Sequence, residues 1–325
     1  MAGGQERALR RRIKTIDSTK KITRAMELIS ATRVVKAQER ASAARPYAQE
    51  ITSVILDLVK VGAAKESSLL QDHPEATKAA FVVVSSDRGL CGAYNSTVIR
   101  MVERELQARR AEGLDYSLIV VGGKAQTYFR FRNYKIDASF PHVTDQPTYA
   151  HARDIARAIR QPFENGEFVS VDLAYWRFLS AGSQEAVLRR FLPLEVEEAT
   201  AADGPTADLE YEPSPTVILN ELLPRYVESR VYSALLDASA SEHAARQRAM
   251  KAATDNAEEL KTKLTRVMNR ARQDSITTEI MEIVGGAEAL KADKGDEEDI
   301  ILDRVFPEHL FDQHLDPRDL ARSKH

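Results

Sequence analysis

Residues 250–271 have the sequence MKAATDNAEELKTKLTRVMNRA, in which small or apolar side chains recur at alternating intervals of three and four. These positions are Met250, Ala253, Ala257, Leu260, Leu264, Val267 and Ala271. An interval that averages 3.5 residues is the heptad repeat of helices that supercoil around a partner. The repeat therefore predicts a long helix that pairs along this seam with a second helix.

Residues that interrupt helices are missing from long stretches near both ends of the sequence. Residues 225–284 contain neither glycine nor proline, and residues 5–61 contain no glycine and a single proline, Pro46. No aromatic residue occurs before Tyr47 or between Tyr232 and Phe306. Because glycine and proline disfavour helix interiors, these stretches predict two helical arms.

The first arm carries an apolar stripe that suits it as the partner helix. The stripe consists of Ile13, Ile16, Ile22, Met26 and Ile29, and it resumes after Pro46 with Ile51, Val54, Ile55, Leu58 and Val59. We expect Pro46 to kink the helix or to start a new one. We predict that the two arms wind around each other, although the seam alone equally allows pairing between copies of the chain.

The middle of the chain alternates between strand-like and helix-like segments. Strands are predicted at 80–85, 116–121, 135–140, 168–179 and 185–192, and helices at 95–112, 124–132 and 148–163. This alternation favours a mostly parallel sheet with helices on its faces. Residues 195–212 hold seven acidic residues and no basic one, so we expect a solvated loop leading into the second arm.

The composition argues against several classes of protein. The 325 residues carry a net charge of −3 and a single cysteine, Cys91, which excludes an internal disulfide and a cysteine-based zinc site. The seven histidines lack metal-ligand spacing, and no apolar run approaches the ~20 residues of a membrane span. We expect a cytoplasmic chain with no membrane span of its own.

The first 40 residues are basic, with eleven Lys or Arg and four Asp or Glu. They lack the interleaved aromatic residues on which nucleic-acid bases stack, and they share their helix with an apolar stripe. We expect no nucleic-acid partner. The alternatives are a solvated helix face and contact with acidic protein surfaces.

The loop Asp87–Gly92, with the sequence DRGLCG, follows the first predicted strand. Loops at that place in a parallel sheet can bind phosphate, but this one lacks the P-loop and the dinucleotide fingerprint. Cys91 has no identifiable base to activate it as a nucleophile. We therefore expect no catalytic site, no cofactor and no metal, and a nucleotide-dependent enzyme remains only as an alternative.

Five motifs, in order, resemble the gamma subunit of the F-type ATP synthase over residues 5–290. They are KKITRAMEL at 20–28, RPYA at 45–48, SDRGLCG at 86–92, AMKAATDN at 249–256 and ARQDSITTEI at 271–280. The resemblance implies N- and C-terminal helices wound as an antiparallel coiled coil beside a central Rossmann-like α/β domain. The expected division is 1–62 for the N-terminal coiled-coil helix, 78–194 for the α/β domain, 195–212 for the acidic loop, 213–290 for the C-terminal coiled-coil helix and 291–325 for an acidic, flexible extension.

The resemblance implies a rotor shaft that has no active site of its own. Such a shaft turns inside a hexamer of alpha and beta subunits, with its foot on a membrane ring of c subunits that proton flow drives. ATP chemistry would occur on the beta subunits, and an epsilon subunit would bind near the α/β domain. The chain would then lie on the cytoplasmic side of the cell membrane, held there by its partners. The alternative is a coiled-coil adaptor without rotary function.

Family positions also imply which residues contact other subunits. Arg24 and Met26 would meet an acidic stretch of beta, and Arg246, Gln273 and Thr277 would contact beta at the catch. Without the family, the last three are simply exposed positions of a helix. The cysteine pair that gives plant chloroplast members redox control has no counterpart here, because Cys91 is the single cysteine.

The chain continues for 35 residues from Lys291, beyond the point at which typical members of the family end, with ten acidic and six basic residues. The simplest interpretation is a solvated tail. The sharper hypothesis is a brake that favours ATP synthesis over hydrolysis. It predicts that truncation after Leu290 raises ATP hydrolysis by the assembled enzyme, and unchanged hydrolysis would end it.

Overall fold

The computed structural model describes residues 2–63, 67–194 and 211–293. The chain divides into two compact units: Thr15–Lys261 form one, and Met1–Lys14 with Thr262–His325 form the other. Residues 195–210 of the predicted acidic loop and 294–325 of the predicted extension lie outside the described residues. The expectations for those two segments therefore stay predictions.

A five-stranded sheet forms the centre of the larger unit. Its strands are β1 (Lys78–Val84), β2 (Asp115–Val121), β3 (Ala138–Phe140), β4 (Phe168–Phe178) and β5 (Gln184–Leu192). The order across the sheet is β3-β2-β1-β4-β5, in which only the β4–β5 pair is antiparallel. The mostly parallel sheet is confirmed. The third strand is shorter than predicted because residues 134–137 complete the turn that follows the preceding helix.

Three short helices connect the strands. They are α2 (Tyr94–Ala111), α3 (Gly123–Phe131) and α4 (Tyr149–Glu164). Side chains of β1 alternate between two apolar cores, as the twofold period of a strand requires. Phe81 faces the core that includes α2 and α3, whereas Val82 faces the core that includes α4 and parts of both helical arms.

The arms are two long helices, α1 (Ala2–Lys60, 59 residues) and α5 (Pro215–Asp293, 79 residues). Pro46 lies inside α1, so the expectation that it starts a new helix is wrong. Beyond the proline, Ile51, Ile55 and Leu58 are at most 6% exposed in the sheet core. This packing outweighs the ~3 kcal/mol that a proline costs inside a helix.

Within the larger unit, α1 and α5 pair in antiparallel directions. Lys261 Nζ donates to Asp17 Oδ1 over 2.7 Å, and the hydroxyls of Thr23 and Thr254 lie 2.8 Å apart. Lys20 and Glu258 form an ion pair between these two contacts. The residue numbers rise along α1 while they fall along α5. The antiparallel pairing predicted for the two arms is therefore confirmed.

At every second position, the seam on α5 lies one residue later in the sequence than predicted. Thr254 is 8% exposed, whereas Leu260, a predicted seam residue, is 40% exposed. In the smaller unit, Met268 is partly buried and Val267 is 44% exposed. The two patterns share every seventh residue, so apolarity alone could not separate them. Thr254 and Lys261 occupy the seam because Thr23 and Asp17 provide them with polar partners.

The predicted apolar stripe on α1 is wrong at three positions, one of which is Val54, beyond Pro46, at 41% exposed. Ile22 and Ile29 are 61% and 55% exposed. The buried positions are instead Thr23, Glu27 and Ser30, none more than 9% exposed. The seam of α1 is thus polar in its middle and leaves large apolar side chains on the outside.

The connection between β2 and α3 generates a prediction about Gly122. This residue has φ 93°, and a Cβ there would lie 2.3 Å from the carbonyl oxygen of Ser85. We expect Gly122→Ala to lower the free energy of unfolding by about 3 kcal/mol or more, because backbone strain and overlap with fixed backbone add together. Urea unfolding followed by the fluorescence of Trp176, the single tryptophan, measures it.

Gly113→Ala is the matched control. Gly113 has φ 76°, but nothing lies within 4 Å of the Cβ position, so only the strain of a left-handed alanine remains. We expect a loss of about 1–2 kcal/mol. Equal losses for the two variants would contradict the role assigned to the close approach of Ser85.

Candidate functional site

A buried ion pair lies on α5 where this helix passes the carboxyl ends of the strands. Arg246 Nη2 donates to Glu242 Oε1 over 2.6 Å, and the two side chains are 8% and 2% exposed. Burial raises the pKa of Glu242, and the neighbouring Arg246 cation partly offsets this shift. A buried carboxylate of this kind depends on its cation, because removing one partner leaves an uncompensated charge.

The guanidinium of Arg246 also reaches the loop that follows β1. Its Nε and Nη2 each lie 3.4 Å from the carbonyl oxygen of Gly89, and Nη2 lies 3.5 Å from that of Arg88. Its Nη1 donates to Nδ1 of His243 over 3.5 Å. One side chain of α5 is therefore connected to two consecutive carbonyls of the DRGLCG loop.

The loop has a second set of bonds on its inner side. Asn95 of α2 accepts from the backbone N–H of Ser86 over 2.8 Å and donates to Sγ of Cys91 over 3.2 Å. Cys91 is 2% exposed, and burial raises the pKa of its thiol. A buried, protonated thiol is a poor nucleophile. Cys91 therefore serves as a packing residue of the loop.

Asp87, which follows β1, is hydrogen-bonded to the segments that follow β2 and β3. Its Oδ1 accepts from the backbone N–H groups of Gly123 and His142 over 2.9 and 2.8 Å. Its Oδ2 accepts from the N–H and the hydroxyl of Thr144 over 3.1 and 3.0 Å. Burial disfavours the charged form, but these bonds outweigh it and lower the pKa of Asp87.

This carboxylate occupies the place where many parallel sheets bind a phosphate. Such phosphates lie at the start of a helix, against its free N–H groups. Here the N–H of Gly123, the first residue of α3, already donates to Asp87. The start of α3 therefore holds an internal anion.

Asp145 makes a second connection between the arms and the sheet. Its carboxylate pairs with Arg33 of α1, and its Oδ1 lies 3.7 Å from Nε2 of His243 on α5. The carbonyl oxygen of Asp145 accepts from the hydroxyl of Ser239 over 3.3 Å and lies 3.4 Å from the same Nε2. The loop between β3 and α4 is thereby attached to both arms.

The match to known proteins covers nearly the whole described chain. A family model described as ATP synthase matches residues 5–290. The ATP synthase gamma chain of Parafrankia sp. (strain EAN1pec) is 49% identical over 293 residues, which are 88% of this chain and 98% of that protein. The chain belongs to the ATP synthase gamma chain family. The gamma chain of Mycolicibacterium smegmatis (strain ATCC 700084 / mc(2)155) is 45% identical and covers 89% of this chain and 98% of its own length.

Solved structures give the same result for the fold. A chain from the OSCP/F1/c-ring structure of Euglena gracilis mitochondrial ATP synthase has a TM-score of 0.63 at 20% identity, covering 92% of this chain and 98% of that one. A chain from the central stalk and c-ring of Tetrahymena thermophila mitochondrial ATP synthase has a TM-score of 0.55 at 26% identity, covering 71% and 99%. The family resemblance and the predicted fold class are confirmed.

The residues that family position assigns to subunit contacts occupy different environments. The side chain of Arg24 is 58% exposed and donates to both carboxylate oxygens of Glu27, while Met26 is partly buried. Gln273 and Thr277 are exposed on the smaller unit, where the Thr277 hydroxyl donates to the Gln273 carbonyl over 3.0 Å. Their contacts with other subunits remain predictions.

Arg246 differs from the other family positions because it is buried. The expectation that it is an exposed helix position is wrong, since it is 7% exposed and bonded to its own chain. Its partner Glu242, and Asp145 with Arg33, were not identified from the sequence. A signal existed for the first of these: Glu242 and His243 interrupt a run of alanine and serine from 238 to 245, and Arg246 follows this run one helical turn after Glu242.

The described residues place two limits on other functions. None of the described helices is long and apolar enough to cross a membrane. Within the same residues, no group of three or more His, Cys, Asp or Glu side chains is placed to hold a metal ion.

The environment of His243 predicts a pH dependence. Burial lowers its pKa to about 4, and the Arg246 and Arg33 cations act in the same direction against the Asp145 carboxylate. Because the folded pKa lies below the unfolded value of about 6.5, the stabilisation is complete above pH 6.5 and is lost as pH falls towards 4. The expected loss across this window is up to about 3 kcal/mol.

His243→Gln removes the titration and should flatten this part of the stability profile. Burial raises the pKa of Asp237 to about 6, which acts in the opposite direction over the same pH range. Asp237 is present in both proteins, so the difference between their urea unfolding free energies at each pH isolates His243. Parallel profiles from pH 7 to pH 4 would contradict the prediction.

Proposed function

We propose that this chain is the central rotor shaft of an F-type ATP synthase. In this role it couples proton-driven rotation of a membrane c-ring to sequential conformational changes in the catalytic beta subunits. The observation that carries the proposal is the family match over residues 5–290, which includes both arms and the sheet. The similar solved structures, which are a central stalk with c-ring and an F1 with c-ring, support it.

The geometry of the larger unit suits the transmission of torque. The two arms are antiparallel, and polar contacts at Thr23, Thr254 and Lys261 set their register. Polar pairs inside a helix seam favour one alignment over the alternatives, since a shift would break the bonds between the two helices. A twist applied to one arm is therefore passed to the other instead of being dissipated by sliding.

The exposed side of α1 suits a surface that moves against a surrounding sleeve. Ile22, Leu28, Ile29 and Val35 are each more than half exposed. These are aliphatic side chains, whereas tight interfaces are dominated by aromatic and arginine anchors. We assign this surface, with Arg24 and Met26 beside it, to contacts with the alpha and beta subunits.

We propose further that ATP chemistry takes place on the beta subunits and not on this chain. Asp87 occupies the N–H group that a phosphate would use at the start of α3, and Cys91 is buried. The membrane location, on the cytoplasmic side, would follow from the c-ring and epsilon partners. The alternative is an adaptor that uses the same paired helices without rotation.

Reconstitution with cognate alpha and beta subunits tests the proposal. We expect a stoichiometric complex by size exclusion, with multisite MgATP hydrolysis that depends on the chain and with rotation of a bead attached to it. An adaptor would either fail to join a folded alpha–beta hexamer or join it without rotation. Either result would sink the rotor assignment.

Two neighbouring threonines allow a matched test of the catch, which is the beta-subunit contact expected of Gln273 and Thr277. Thr277 and Thr278 are both exposed, and each hydroxyl donates to the carbonyl four residues earlier, over 3.0 and 2.9 Å. Alanine at either position removes the same intrahelical bond, so any difference between the variants arises from the face that each residue presents. We expect Thr277→Ala to lower multisite turnover by about threefold to tenfold, corresponding to one lost intersubunit hydrogen bond.

Thr278→Ala should leave multisite turnover close to that of the unmodified complex. The measurement is steady-state ATP hydrolysis by complexes of equal stoichiometry. Equal turnover for the two variants would remove Thr277 from the catch without affecting the rotor assignment itself.

A further inference from the structure

The DRGLCG loop adopts a conformation that its own side chains do not explain. Leu90 has φ 64°, in the left-handed region that bulky residues avoid, and its side chain is 61% exposed. Packing of Leu90 therefore does not hold it there. Unfavourable backbone conformations persist only where the surroundings over-determine them. The Ser86 hydroxyl donates to the carbonyl of Arg88. The carbonyl of Gly89, which directly precedes Leu90, is held by a contact from outside the loop.

Arg246 provides that contact from the opposite side of the loop. Its Nε and Nη2 approach the carbonyls of Gly89 and Arg88, the two residues that precede Leu90. The planar guanidinium can address two acceptors at once, whereas a lysine ammonium is a point charge on a flexible stem. Glu242, one helical turn earlier, holds the guanidinium in place.

Each nitrogen of the Arg246 guanidinium already has an acceptor within the chain. Nη1 donates to His243, Nε to Gly89, and Nη2 to Glu242 and the two loop carbonyls. The residue is 7% exposed. Burial and these internal acceptors therefore direct the guanidinium towards its own chain.

We propose that Arg246 is a positioning residue that clamps the DRGLCG loop to α5. It acts through that loop and does not itself contact a partner subunit. This changes the role that family position implied for Arg246. The exposed tip of the loop, Arg88 and Leu90, is thereby held in one conformation while the helix that carries Arg246 transmits load.

The rate at which Cys91 is chemically modified reports whether the loop is held by Arg246. It is the single cysteine of the chain, it lies within the loop, and it is 2% exposed. Its Sγ lies 3.7 Å from the hydroxyl of Ser86 and accepts from Asn95. A thiol reagent reaches it only when the loop opens or when the whole unit unfolds.

The experiment measures the rate of Cys91 modification by a thiol reagent in the full-length chain at pH 8. Arg246→Lys keeps the charge beside Glu242 but removes the fork that bridges the two carbonyls. We expect Arg246→Lys and Arg246→Gln to raise the rate by roughly tenfold or more, because charged hydrogen bonds to the loop are lost. Cys91→Ser establishes that the signal arises from this thiol.

Arg248→Gln is the matched control. Arg248 is exposed on the same helix and also donates to a loop, to the carbonyl of Ala181 over 3.1 Å and to the side chain of Gln184. Its replacement should leave the rate within twofold of the original chain. Arg248 also lines the cavity beside Cys91, so a comparable acceleration in Arg248→Gln would mean that the reagent reaches the thiol through that cavity without opening of the clamp, which overturns the proposal.

Urea separates a local clamp from general stability. Local opening exposes little surface, so the accelerated rate should be nearly independent of urea well below the unfolding transition. An unchanged rate in Arg246→Lys, or an acceleration that rises steeply with urea in parallel with global unfolding, would overturn the proposal. The assay needs no partner subunit, so its result is independent of the rotor assignment.

Discussion

Antiparallel pairing of the first and last helices is the constraint on which the rest of the larger unit depends. A helix derives most of its stability in a protein from the face that it packs. The seam at Thr23 and Thr254 supplies such a face where no sheet is involved. Further along, Leu58 of α1 and Leu219 of α5 enter the same core as β1. One side of the sheet is thereby covered by parts of both arms together with α4.

The polar character of the seam affects specificity more than stability. The pair of Asp17 and Lys261 is about one-third exposed, and such ion pairs contribute little net free energy. The buried hydroxyls of Thr23 and Thr254 satisfy each other at a single alignment. A sliding step along the seam would break this bond and the Asp17–Lys261 pair, although each hydroxyl would keep a backbone carbonyl of its own helix as an acceptor. Small polar residues therefore define the register, and aliphatic side chains such as Ile22 are left for the outer surface.

Local patterns predicted the sheet well, because a strand such as β1 is recognisable from its own β-branched residues. They predicted the seam less well. Ala253 and Thr254 are neighbours, and a rule that counts apolar residues selects the first although the second is buried. The choice depends on Thr23, 231 residues away in sequence. The burial of Arg246 was equally inaccessible, because its acceptor at Gly89 is 157 residues away and is a backbone carbonyl, which leaves no trace in the residue type.

The carboxyl edge of the sheet shows how one architecture can serve a mechanical role. In a nucleotide-binding sheet, the first loop and the following helix keep their N–H groups free for a phosphate. Here Asp87 binds the N–H groups of Gly123, His142 and Thr144, and Arg246 binds the loop carbonyls on the other side. The N–H groups that Asp87 binds and the carbonyls that Arg246 binds therefore have hydrogen-bond partners within the chain. An edge that could accept a ligand has instead become the attachment between a sheet and a long helix.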